Sequence, residues 1–167
     1  MKRTCAESNL NRAANINSGW TGLATFSSLF LRLALGISFL SAVADRLGIW
    51  GAYGKPNVAW GNYGRFVAYT AKLNWFLPAA MIPALAITAT SAETLFGVLL
   101  VLGLKTRVTA LLSGVLLTAF ALTMTMALGV KAPLDLSVFS AAGGALLLGA
   151  HAQFPFSVDG LLRRNRR

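Results

Sequence analysis

The stretch PAAMIPALAITATSAETLFGVLLVLGLKTR (residues 78–107) decides how this chain is read. From Pro78 to Leu104 one ionisable side chain, Glu93, interrupts an apolar run that stops at Lys105 and Arg107. A hydrocarbon core about 30 Å thick is crossed by roughly 20 apolar residues of helix, which satisfies every backbone N–H and C=O internally. Water is absent there, so an ionised carboxyl is costly unless the protein shelters it. The run therefore reads as a membrane span, and Glu93 as a functional suspect. At about 1.5 Å per residue, Glu93 lies roughly 18 Å from Lys105, close to the midplane.

Three more apolar runs, over about 23–47, 108–128 and 134–152, repeat the pattern, and well inside them only Arg32, about two turns into the first, interrupts. The expected fold is all-α: an integral membrane four-helix bundle over residues 23–160. A polar cytoplasmic arm (1–22) precedes it and a basic tail (161–167) follows. Composition agrees, since 56% hydrophobic and 12% charged residues exceed what a single soluble core of this size could hide. The leader is rich in Asn and Ser and reads as loosely ordered. Ala42-Val43-Ala44 resembles a signal-peptidase site, but the long leader and Arg32 argue against cleavage. Pro78 suits a first helical turn, while Pro83 is expected to bend the second span. Lys105-Thr106-Arg107 is so short a connection that spans two and three must be antiparallel neighbours.

Between the first two spans, Gly48 to Leu77 alternates glycines with Trp50, Tyr53, Trp60, Tyr63, Phe66, Tyr69, Trp75 and Phe76. Trp and Tyr favour the headgroup level, where a ring is half buried and its polar edge wet. Tyr63, Phe66, Val67, Thr70 and Leu73 recur at three- and four-residue steps, which predicts a short amphipathic helix in the interface or folded over the bundle. So long a loop is either a lid or an anchor.

Fifteen Lys and Arg against five Asp and Glu give a formal charge of +10. In a soluble chain that balance would suggest nucleic acid. Here the bases flank apolar runs, so the expected surroundings are a lipid bilayer and no nucleic acid. Lys2, Arg3, Arg12, Lys105, Arg107, Arg163, Arg164, Arg166 and Arg167 fall on one side; Arg46, Lys55, Arg65, Lys72 and Lys131 fall on the other. Both termini are then expected in the cytoplasm. A single cysteine, Cys5, excludes an internal disulfide, and with one histidine, His151, no tetrahedral metal site is expected.

The helical face of Glu93 carries Ala86, Ala89, Thr90 and Gly97, and small residues let helices approach, so Glu93 should point inward. It is then a proton-accepting group, a ligand contact, or a packing pin, either as half of an ion pair or as a protonated, hydrogen-bonded carboxyl. Arg32 either snorkels to the cytoplasmic interface or reaches up to Glu93. Asp45, Arg46 and Asp135 are expected together at the outer ends of spans one and four, as a solvated network or a polar mouth under the loop. The hydroxyls of Thr109, Ser113, Thr118, Thr123, Thr125, Ser137 and Ser140 read as packing groups. The run Ala141-Ala142-Gly143-Gly144-Ala145 marks a close helix contact, internal or between the protomers of a homodimer.

Several of these residues resemble the DoxX family. Arg32-Leu33-x-Leu35-Gly36-x-x-Phe39, with a base at Arg46, is similar to that family's first helix. Glu93-x-x-x-Gly97, followed by Leu102-Gly103-Leu104-Lys105-Thr106-Arg107, resembles its second helix and tight turn, and Phe156-Ser157-Val158-Asp159 resembles its closing motif. Val43 stands where many members have glycine, and Arg46 where many have lysine. The resemblance implies a four-helix protein of the bacterial inner membrane. The family takes its name from the small subunit of thiosulfate:quinone oxidoreductase, and its members are tied to membrane redox and thiol-stress complexes. Arg32, Glu93 and Arg107 would be the family's charged positions, with no catalytic role assigned to them. The leading expectation is a membrane subunit or accessory of a redox system, acting with a redox partner protein. No cofactor is certain; a quinone could be held by Arg32 and Glu93, with Asp45, Arg46 and Asp135 as further candidate ligand contacts. A small transporter and a structural partner without ligand remain alternatives.

Overall fold

The computed structural model of the protein describes residues 2–151, 154 and 157–159, with side chains from Gly22 onward. Its helices are α1 (Lys2–Arg46), α2 (Tyr63–Leu73), α3 (Ile82–Leu102), α4 (Thr106–Leu128), α5 (Lys131–Asp135) and α6 (Val138–Ala150). Three segments are long and apolar enough to cross a membrane: Gly22–Arg46, Ala79–Leu102 and Thr106–Leu128, with mean hydropathies of 1.8, 1.8 and 2.0. Phe26, Phe30, Ile37, Leu95, Val115 and Leu122 all face outward on them. In water such a surface would aggregate; in lipid it is the ordinary exterior.

Four expectations need correction. The polar leader continues the first span as helix from Lys2, and no proline precedes Pro56 to stop it. Pro83 does not bend the second span. A 3₁₀ turn over Ala79–Met81 comes first, and Pro83 stands in the opening turn of α3, where its missing N–H has no helical partner to lose. The fourth apolar run is split, because Ser137 adopts φ +54 between α5 and α6. That left-handed residue cannot continue a helix, so α6 starts at Val138 instead of Leu134. It holds 13 residues, about 20 Å of rise. Arg46, counted among the outer bases, is buried.

Lipid gives helices no hydrophobic reason to associate, so close approach and polar links must hold this assembly together. α1 packs on α3, and α4 packs along α6. α1 and α3 cross at Gly36 and Gly97: a Cβ on Gly36 would lie 2.8 Å from Val101 Cγ2 and 3.0 Å from the Gly97 carbonyl. Gly114 and Gly149 meet Leu146 and Leu111 across the α4–α6 contact, while Gly144 admits Leu31 of α1. With Ala142 and Ala145 buried, the small-residue run is spent largely inside the chain. Leu35, Phe39, Leu100, Ala110, Ala145 and Leu148 form the apolar core.

α2 lies against α3 and α4. Asn62, in extended backbone, accepts from the Arg65 amide at 3.0 Å and starts the helix. At the other end the Asn74 amide and side chain both donate to the Thr70 carbonyl. Phe66, Thr70 and Leu73 are its buried stripe, the three- and four-residue spacing of an amphipathic helix. At the opposite pole, Gly103 closes α3 in a left-handed conformation (φ +71), with its N–H and that of Leu104 returning to Leu99.

Candidate functional site

Arg46 is the last residue of α1, and its side chain turns back into the protein. Nη2 contacts both carboxyl oxygens of Glu93, Oε1 at 2.9 Å and Oε2 at 2.7 Å. Nη1 donates to Thr90 Oγ1 at 3.0 Å, and the Thr90 hydroxyl donates in turn to the Ala86 carbonyl at 2.9 Å. Both charged groups are almost wholly enclosed, at 3% and 2% exposure. The guanidinium also lies 3.7 Å from the ring centre of Phe66 and 5.1 Å from that of Trp60. A delocalised, weakly hydrated cation suits an aromatic face better than an ammonium would. The α2 loop therefore roofs the ion pair. Tyr63 packs on Phe66, with centroids 6.0 Å apart, and its buried hydroxyl and Arg46 Nε find no acceptor among the described residues.

The neighbouring residue holds that roof down. Asp45 is buried and accepts the backbone amides of Ala59 and Trp60 at 3.0 Å and of Gly61 at 3.4 Å. Gly61 has φ +66, and a Cβ there would lie 2.3 Å from the Tyr53 nitrogen, so only glycine fits this fold-back. Tyr69 leans on Trp60, and burial pushes its phenol above the ordinary tyrosine range. Beside the pair, the outer face of α3 carries an open groove of about 430 Å³ lined by Thr90, Ser91, Thr94, Leu95 and Val98. Thr90 thus touches the groove on one side and Arg46 on the other.

Arg32 does not join this cluster. It is buried 14 residues back along α1 from Arg46, where a Cβ on Gly103 would meet its Nη1 at 2.7 Å and where the Asp159 carboxylate acts on it. Of the two placements considered for Arg32, the one that pairs it with Glu93 is replaced by Arg46–Glu93, because the Gly36–Gly97 crossing sets the levels. Arg32 lies about 6 Å to one side of it and Glu93 about 6 Å to the other. Asp159 is a residue whose task the sequence did not reveal. Its oxygens accept the Lys105 and Thr106 amides at 2.9 and 2.8 Å, an N-terminal cap for α4 supplied from 53 residues away. Asp159 also donates its own amide to the Gly103 carbonyl, and Ser157 Oγ donates to the Phe154 carbonyl at 2.6 Å. Phe156 of the closing motif lies outside the described residues. Asp135 is not part of an outer charge cluster either: it is solvent-facing and paired with Lys131, one turn earlier on α5. Spacing of i and i+4 could have shown that pairing.

Fold and site together define a helical membrane protein with the Arg46–Glu93 ion pair enclosed between its first and third helices. A model of the DoxX family matches residues 27–128, more than half the chain, and the protein belongs to that family. The matched region carries Arg32, Asp45, Arg46 and Glu93. No curated protein and no solved structure matches it.

Proposed function

We propose that this DoxX protein is a four-span subunit or accessory of a redox system in a bacterial inner membrane. In this reading α6 makes the fourth crossing, both termini are cytoplasmic, and Arg46 and Glu93 receive a small lipophilic ligand of the quinone class. The observation that carries it is the enclosed Arg46–Glu93 pair beside the apolar groove, with donors left over. An ion pair rarely holds helices together better than apolar residues of equal volume would, so its presence suggests chemistry. The groove is open, runs along α3 alone with Thr90 on its side towards Arg46, and faces where lipid would lie.

A quinone takes up two electrons and two protons on becoming a quinol, and its carbonyl oxygens accept hydrogen bonds. Arg46 Nε and the Tyr63 hydroxyl are the spare donors that could orient such a carbonyl, and Thr90 is the hinge between groove and pair. Glu93 is the group able to give or receive a proton at that depth. The electrons would come from a partner protein that oxidises a sulfur or thiol substrate. Purified protein extracted with organic solvent should yield quinone, and added quinone should raise its melting temperature in wild type but not in Arg46→Gln. Neither quinone nor a shift in the wild-type protein would remove this reading. Topology has its own check: Cys5, the single thiol, should react with an impermeant maleimide in inside-out vesicles and stay unlabelled in right-side-out ones.

The roof of Phe66 and Trp60 over the guanidinium favours a second reading, in which the pair simply pins α1, α2 and α3. Its signature is a stability loss in Arg46→Gln with no ligand response in either protein.

A further inference from the structure

Hydroxyls on the described helices are used in two ways, and in the first group Thr70 is buried while Thr90, Thr118 and Thr125 are half-buried. Thr70, Thr90, Thr118 and Thr125 each donate to the carbonyl four residues back in their own helix, the ordinary use of a hydroxyl in a span. Ser113 does not: it is fully buried, and its Oγ has no partner among the described residues. The same holds for Thr106 Oγ1, on the first residue of α4. Between them Thr109 is 2% exposed and donates to the Lys105 carbonyl at 3.2 Å. One buried stripe of α4 thus carries three hydroxyls over about 10.5 Å of rise. A buried hydroxyl left unpaired is destabilising, because it has lost its water without gaining a partner. Ordered water, which makes about three hydrogen bonds in such places, is the simplest partner.

Both ends of the row meet polar groups. At the lower end the Thr106 amide holds Asp159, which is half-buried and reaches the surface, and Arg32 lies against the same turn. At the upper end, α3 and α4 leave their short turn in antiparallel directions. Ser113 is about 10.5 Å from Thr106 and Glu93 about 13.5 Å from Leu102, so the two stand within about 3 Å of the same depth. Both face inward. Ala110 and Gly114, one position further along, make the contact with α6, which leaves the hydroxyl row about 100° round the helix from it.

We propose that Thr106, Thr109 and Ser113 line a hydrated proton route running from the α3–α4 turn to Glu93. The route rests on the reading that Glu93 exchanges protons at the ligand site, and it specifies which side of the membrane supplies them. A proton entering at the turn passes through water and hydroxyls and ends on a Glu93 carboxyl oxygen, while Arg46 keeps its charge. The other side is closed by Phe66 and Trp60 over the guanidinium and by the Asp45 clamp on the loop. Arg46 of α1 is the only charged group touching Glu93 among the described residues. α2 brings Tyr63 nearby, and α4 contributes none, since Arg107 is exposed at its far end.

The test is infrared spectroscopy of the full chain in proteoliposomes, following the carboxyl band that Glu93→Gln removes, after a pH jump on one side. The band should respond at least tenfold faster to a jump on the turn side. Ser113→Ala should slow it at least tenfold, Ser113→Thr should restore it, and Thr88→Val, facing lipid, should leave it unchanged. Equal response to both sides, indifference to Ser113→Ala, or no titration at all would overturn the route. A slowing that Ser113→Thr fails to reverse is a packing effect and overturns it too. Absence of bound quinone with this response intact would remove the ligand reading and leave the route standing.

Discussion

At the scale of single residues, the energetics of Arg46 and Glu93 are asymmetric. Removing one partner strands an enclosed charge, and breaking such a buried pair costs about 3–5 kcal/mol. Arg46→Gln and Glu93→Gln should therefore each lower the thermal midpoint sharply. The double substitution Arg46→Met with Glu93→Leu should return most of the loss, since neither charge is then left to solvate. Scanning calorimetry or a thermofluor assay in detergent decides it, and a double variant as weak as the singles would refute this account. The sequence shows that Glu93 faces inward, because a carboxyl at that depth with Ala86, Ala89 and Gly97 beside it has nowhere else to go. It does not show which arginine meets it. Arg32 and Arg46 are both near enough in sequence, and only the level of the Gly36–Gly97 crossing separates them. Likewise nothing local to Asp45 foretells three amides arriving from residues 59–61, since the fold-back depends on Gly61 and its positive φ.

At the scale of elements, the α1–α3 contact depends on two positions with no side chain. Helices in lipid associate by close packing, so a large residue at the crossing has no compensating burial to draw on. Gly36→Leu should separate α1 from α3, lengthen the reach from Arg46 to Glu93 and cost more than Gly143→Ala, whose Cβ would meet nothing within 4 Å. Unfolding by denaturant, or resistance to protease, should rank the two variants in that order. Three of the spans were readable, because long apolar runs flanked by bases admit few other structures in a bilayer. The break at Ser137 was not. A non-glycine residue in a left-handed conformation carries no composition signal, and the apolar run continues unbroken through it. Pro83 misled for the opposite reason: its signal is real, but a proline inside an expected helix becomes a proline in the first turn once the 3₁₀ segment precedes it.

At the scale of the whole molecule, two carboxylates from different parts of the chain fasten opposite ends of the assembly. Asp45 ties the aromatic loop above the ion pair, and Asp159 ties the closing segment to the start of α4. Each accepts backbone amides that would otherwise be orphaned, and each should contribute on the order of 1–3 kcal/mol. Arg46, next to one clamp, and Arg32, beside the other, are 14 residues apart on α1, or about 21 Å. Sites that far apart with no shared partner usually add within about 0.3–0.5 kcal/mol. Asp45→Asn and Asp159→Asn should therefore be additive when combined. Asp45→Asn with Arg46→Gln should not be, since residues 45 and 46 hold the same loop through Trp60 and Phe66. Two double-mutant cycles on thermal or denaturant unfolding measure both terms. Strong coupling between residues 45 and 159 would mean that the two ends communicate through the bundle. The energetics of the aromatic roof would then depend on the clamp at the opposite pole as well as on Asp45 and Arg46.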